Sequence, residues 1–104
     1  MLAIVRHLNV ADKPSLMSEA YKVSGHAVQA RRFVAINKDY YRTVLTRDAG
    51  DAYALYAVLE DLWCGTQNTD TQWALGERSS MVGDLFIIGD SAFMCAPFGW
   101  TLIS

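Results

Sequence analysis

Residues 2–6, Leu-Ala-Ile-Val-Arg, open the chain with a short apolar run that reads as a first strand. Asp12-Lys13-Pro14 then marks a helix start, because proline is tolerated in a first helical turn. Leu16, Met17, Ala20, Tyr21 and Val23 make a helical stripe over about 14–24, and Gly25 stops it. A longer helix continuing toward Ala30 is the alternative. Two aromatic and β-branched runs follow, Arg32–Ile36 and Tyr40–Thr46. They read as strands joined by an Asn37-Lys38-Asp39 hairpin connection.

The most regular pattern comes next. Ala52, Leu55, Tyr56, Leu59, Leu62 and Trp63 fall on one helical face, with Asp48 as N-cap, Asp51 three residues on and Gly65 as terminator. This predicts a helix over about 49–64. Residues 66–76 are polar apart from Trp73 and Leu75 and read as a loop. Trp73 there is either an anchor folded onto the core or part of a binding surface.

Leu85–Ile88 and Ser91–Ala96 flank Gly89-Asp90 as a tight hairpin, Pro97 interrupts the pairing, and Phe98–Ile103 resumes as an extended end. Alternation puts Phe86 and Ile88 on one face and Leu85 and Ile87 on the other. Both faces are apolar, which suits a central strand. The expected architecture is α+β: one antiparallel sheet of four or five short strands with the two helices packed on one face.

Composition narrows the function classes. A chain of 104 residues with 52% hydrophobic and 19% charged positions has one-domain size and globular composition. The net charge is −2 with both signs dispersed, which argues against nucleic acid as a partner. Arg31-Arg32 is a lone basic pair, read as a solvated strand entrance. No apolar stretch reaches a membrane span, and the N-terminal run is too short for a signal peptide. Cys64 and Cys95 show neither CxxC nor a secreted-framework spacing, so a cytoplasmic protein with reduced thiols is expected.

Candidate chemistry is sparse. His7 and His26 are not at metal-ligand spacing, and Gly76, Gly83, Gly89 and Gly99 form neither GxGxxG nor a P-loop. No metal and no cofactor is therefore expected. Ser79, Ser80, Cys64 and Cys95 are nominal nucleophiles, with His7 and His26 as bases and Asp84 or Asp90 as orienters. An enzyme requires one of the nucleophiles within hydrogen-bond reach of a histidine. The serine pair reads more simply as a turn or cap feature that bonds nearby backbone, and His26 as an exposed loop residue. Gly83 allows a positive φ or a bulge before Asp84, whose carboxylate can receive nearby amide hydrogens.

The segment from Trp73 through Arg78-Ser79, Val82-Gly83-Asp84, the Gly89-Asp90 turn and Gly99-Trp100 resembles the C-terminal signature of small bacterial proteins. These occur in actinobacteria, phages, plasmids and integron gene cassettes. Three positions depart from that pattern: Met81 where serine is expected, Gly-Asp for Asp-Gly in the turn, and Trp100 for the closing phenylalanine. The resemblance begins near the Tyr40 strand and leaves residues 1–37 outside. It implies a fold and a mobile-element context, and no activity.

Aromatic residues concentrate in the second half of the chain, and three tryptophans exceed what a small core needs. The expectation is a non-enzymatic accessory protein that binds another protein through Trp73, Phe98 and Trp100. The alternative is a small-molecule module with an aromatic pocket for an apolar or cationic ligand. An apolar, strand-rich C-terminal half also suits a homodimer through a sheet edge, and the sequence does not choose between monomer and dimer.

Overall fold

The structure, a computed structural model, describes residues 2–48 and 80–104. Five strands form one open antiparallel sheet: β1 (Leu2–Leu8), β2 (Tyr41–Asp48), β3 (Leu85–Ile88), β4 (Ser91–Ala96) and β5 (Gly99–Leu102). Their spatial order is β2-β1-β3-β4-β5. Two helices, α1 (Ser15–Val23) and α2 (Ala27–Ile36), lie between β1 and β2 in the chain. The fold is α+β, as the pattern predicts. The expected helix over 49–64 and Trp73 lie outside the described residues.

β3 is the middle strand, and its alternation serves two cores. Phe86 and Ile88 pack with Ala3, Val5, Leu45, Phe93 and Cys95 in one cluster. Leu85 belongs to the other, with Leu8, Leu16, Ala20, Ala30, Phe33, Tyr41, Met94 and Ile103, which seats both helices on the sheet. Each large apolar side chain buried this way contributes about 1.5–3 kcal/mol. Cys95 is fully buried. Within α1 only part of the predicted stripe turns inward: Leu16 and Ala20 are buried, while Met17 and Tyr21 are exposed.

β2 contributes to both clusters because of a register shift. Val5 pairs with Leu45, whereas Arg6 pairs with Thr43, so Val44 is an extra residue opposite the Val5–Arg6 step. Tyr41 and Leu45, four residues apart, would share a face in a regular strand. The bulge inverts the alternation between them, and they bury in different clusters.

The strand expected over Arg32–Ile36 is instead the C-terminal half of α2. Ala30 and Phe33 are buried while Ala27 and Val34 are half-buried, a spacing of three and four that only a helix turns to one side. A five-residue apolar run fits either period, and packing against α1 and the sheet decides it. The expected Asn37-Lys38-Asp39 hairpin is replaced by a 3-10 turn, Lys38–Tyr40, leading into β2. The main-chain N–H of Asn37 and its side-chain Nδ2 both donate to the Phe33 carbonyl at 3.0 Å and end α2. Arg31 is not a strand entrance either. Its Nε donates to the Ile103 carbonyl, while the Thr101 hydroxyl donates to the Ser24 carbonyl, so the helices are tied to the end of the chain.

Two reversals follow the sequence closely. Gly89 has φ 58° and the Ile88–Ser91 pair closes a two-residue turn, the position where a hairpin of this length favours glycine. Pro97 lies just beyond the end of β4, and β5 resumes at Gly99. Among the described residues, no helix is long and apolar enough to cross a membrane.

Candidate functional site

Polar groups converge where β1, β2 and the entry to β3 meet. Gly83 takes φ 97° and lies so close to α1 that a Cβ there would sit 2.7 Å from the Ala20 Cβ. This brings the 80–84 segment against the end of β1. Asp84, fully buried, accepts the Leu8 N–H on Oδ1 at 2.8 Å and the Met81 N–H on Oδ2 at 2.7 Å. The β1–β3 ladder ends at Arg6–Leu85, so the carboxylate supplies an acceptor where backbone pairing stops. The Gly83 N–H donates to the Cys95 carbonyl and the Cys95 N–H to that of Asp84, which fastens the same segment to β4.

Two further side chains complete the cluster. The Tyr41 hydroxyl donates to the Gly83 carbonyl at 2.7 Å. Burial foremost, then the neighbouring Asp84 charge and Cys95, raise the Tyr41 pKa well above the ordinary phenol range. His7 Nε2 lies 3.0 Å from Ser80 Oγ and 3.8 Å from Asp84 Oδ2. His7 and Ser80 are only 3% and 4% exposed.

A histidine therefore does reach a serine, the condition an enzyme reading requires. The details differ from nucleophilic machinery. In a Ser-His-Asp triad the hydroxyl and the carboxylate occupy opposite ring nitrogens, so that one receives the proton while the other orients the ring. Here Ser80 and Asp84 face the same nitrogen, Nε2. Both carboxylate oxygens already accept main-chain N–H groups, and the serine is shut from solvent. The arrangement joins three chain segments through buried, hydrogen-bonded polar groups.

The expectation that Asp84 receives amide hydrogens holds. Of the expectation that Ser79 or Ser80 bonds nearby backbone, the Ser80 alternative is not seen, since its hydroxyl meets a side chain 73 residues away. Ser79 lies outside the described residues. The sequence offers His7 as a base for Ser80 with Asp84 as orienter among several combinations, and the structure brings these three together. Tyr41 was missed as a member of this cluster, because nothing along the chain marks its approach to Gly83. His26 is exposed, just ahead of α2. Among the described residues, no three His, Cys, Asp or Glu side chains come together as a metal site.

The predicted binding aromatics lie at the other end of the sheet. Phe98, at the tip of the β4–β5 turn, is 99% exposed. Trp100 is half-buried, its ring 6.5 Å from that of Phe86 and tilted by 37°. Leu102, two residues on and on the same side of β5, is 53% exposed. Trp100 and Leu102 thus lie on the outer strand β5, with Phe98 in the turn that precedes it. A separate groove of about 520 Å³ runs between α1 and α2, lined in part by Lys22, Arg32, Phe33 and Ile36.

No protein-family model, curated protein or solved structure matches this chain.

Proposed function

We propose that this chain is a non-enzymatic binding protein that engages another protein through β5 and the β4–β5 tip. The observation that carries the reading is the exposed Phe98 at the β4–β5 turn followed by Trp100 and Leu102 on the last strand of an open sheet. A phenylalanine with 99% exposure contributes almost nothing to its own fold. Trp100 offers a rigid, partly seated ring, the type of side chain that anchors interfaces. The last strand of an open sheet can accept an extended segment of a partner as a further strand. A second copy of this chain is the simplest such partner. An accessory role on a mobile element rests on the signature resemblance alone.

The test replaces Phe98 with the photo-crosslinking residue p-benzoylphenylalanine in producing cells. The control carries it at Val28, which is 65% exposed on α2. A discrete adduct from position 98, absent from position 28 and lost with Leu102→Asp, supports the reading. Intact-mass analysis then separates a homodimer from a different partner. No adduct at position 98 above the Val28 control overturns it.

A further inference from the structure

We propose that the α1–α2 groove binds a small organic anion with an apolar body, independently of any partner at β5. The helices follow one another, joined through Ser24, Gly25 and His26. Glu19, Lys22 and Val23 on α1 face Gln29, Arg32, Phe33 and Ile36 on α2. Both sets follow the spacing of three and four that places residues on one helix face. Lys13 and Asn37 close the end where α1 begins and α2 finishes. The volume of about 520 Å³ lies within the range of small-molecule sites.

Charge decides the ligand class. Lys13, Lys22 and Arg32 contribute three positive charges to the lining and Glu19 one negative, a local balance of +2 on a chain whose net charge is −2. Among the described residues, neither Lys22 nor Arg32 has an Asp or Glu oxygen within ion-pair distance. Lys22 and Arg32 are therefore not neutralised by a described carboxylate, and Lys13 instead lies 5.7 Å from the centre of the Tyr40 ring. A cationic ligand would meet like charges, and a purely apolar one would leave these cations unused. Arg32 and Lys22 suit a carboxylate or phosphate head, with the guanidinium able to hold it by two hydrogen bonds. The buried edge of Phe33, half-buried Val23 and 74% exposed Ile36 give the apolar body a floor and a rim.

The experiment is an amide chemical-shift titration of the full chain with octanoate, octyl phosphate, octanol and inorganic phosphate. Either octyl anion should saturate shifts confined to residues 19–23 and 29–37, and the tighter of the two identifies the preferred head group. Octanol and inorganic phosphate should each bind at least tenfold more weakly. Lys22→Glu with Arg32→Glu should weaken the anions at least tenfold while amides of β1 and β3 stay unshifted. If that double variant fails to fold, Arg32→Gln alone should weaken them severalfold. Non-saturating shifts, equal binding of octanol, or indifference to the charge changes overturns the proposal. Saturation by an acidic helical peptide and by neither octyl anion overturns it as well.

Discussion

The two ends of the C-terminal region invert the usual placement of side chains. At its entry, Ser80 and Asp84 are polar and buried, while at its exit Phe98 and Leu102 are apolar and exposed. The first end is accounted for within the chain: Asp84 serves two N–H groups and Ser80 meets His7. The second end is not. Buried polar groups with partners explain themselves structurally, whereas exposed apolar groups on and beside an outer strand point to something outside the molecule. The proposed function treats the cluster as architecture and the hairpin end as the binding surface.

Substitutions can break this contrast. The largest effect is expected from Gly83→Ala, which adds a Cβ against Ala20 at a residue with φ 97°. Overpacking and backbone strain together should cost about 3–5 kcal/mol, read from the urea midpoint. A stability close to the unsubstituted chain would show that the entry segment is not held against α1.

Asp84→Ala should come next, at about 3 kcal/mol, because the Leu8 and Met81 N–H groups lose their buried acceptor. Thermal unfolding measures it. If Asp84→Ala left stability intact, the architectural reading of the cluster would fail and a chemical role would regain ground.

Tyr41→Phe removes one buried hydrogen bond to Gly83 and should cost about 1 kcal/mol near neutral pH. Its pH dependence sharpens the point. The folded-state pKa of Tyr41 is raised, so the native protein keeps the phenol proton to higher pH than the unfolded chain does. The contribution is complete below the unfolded value of about 10 and is lost as pH rises above it toward the folded value. Stability of the unsubstituted chain should therefore fall more steeply above pH 10 than that of Tyr41→Phe. Parallel curves for the two would remove Tyr41 from the buried cluster.

The smallest stability effect belongs to the exit. Phe98→Ser should change unfolding free energy by no more than about 0.5 kcal/mol, since the ring touches almost nothing. The same substitution, combined with a crosslinker at Leu102, should abolish the adduct. Marked destabilisation would mean that Phe98 serves the fold, and the contrast between the two ends would disappear.

Much of the fold was legible from local pattern. The first strand, α1, the Gly89 turn and the break at Pro97 lie where alternation, helical spacing and turn chemistry put them. Those signals come from residues near in sequence, and near residues govern turns and faces. α2 was hidden because Arg32–Ile36 is short enough to satisfy two periods, and its contacts with α1 and the sheet made the choice. The Val44 bulge was hidden for a related reason, since an extra residue is defined only against a partner strand.

The candidate sites divide in the same way. The sequence alone pointed to the amide-binding carboxylate of Asp84, the positive φ at Gly83 and the aromatic residues near the C-terminus. Only the tertiary structure brought His7 to Ser80 across 73 residues, placed Tyr41 over Gly83 and separated a half-seated Trp100 from a bare Phe98. Turn chemistry acts over a few bonds, so it can be read along the chain. Burial and long-range hydrogen bonds depend on which strands become neighbours, and that order is a property of the whole fold.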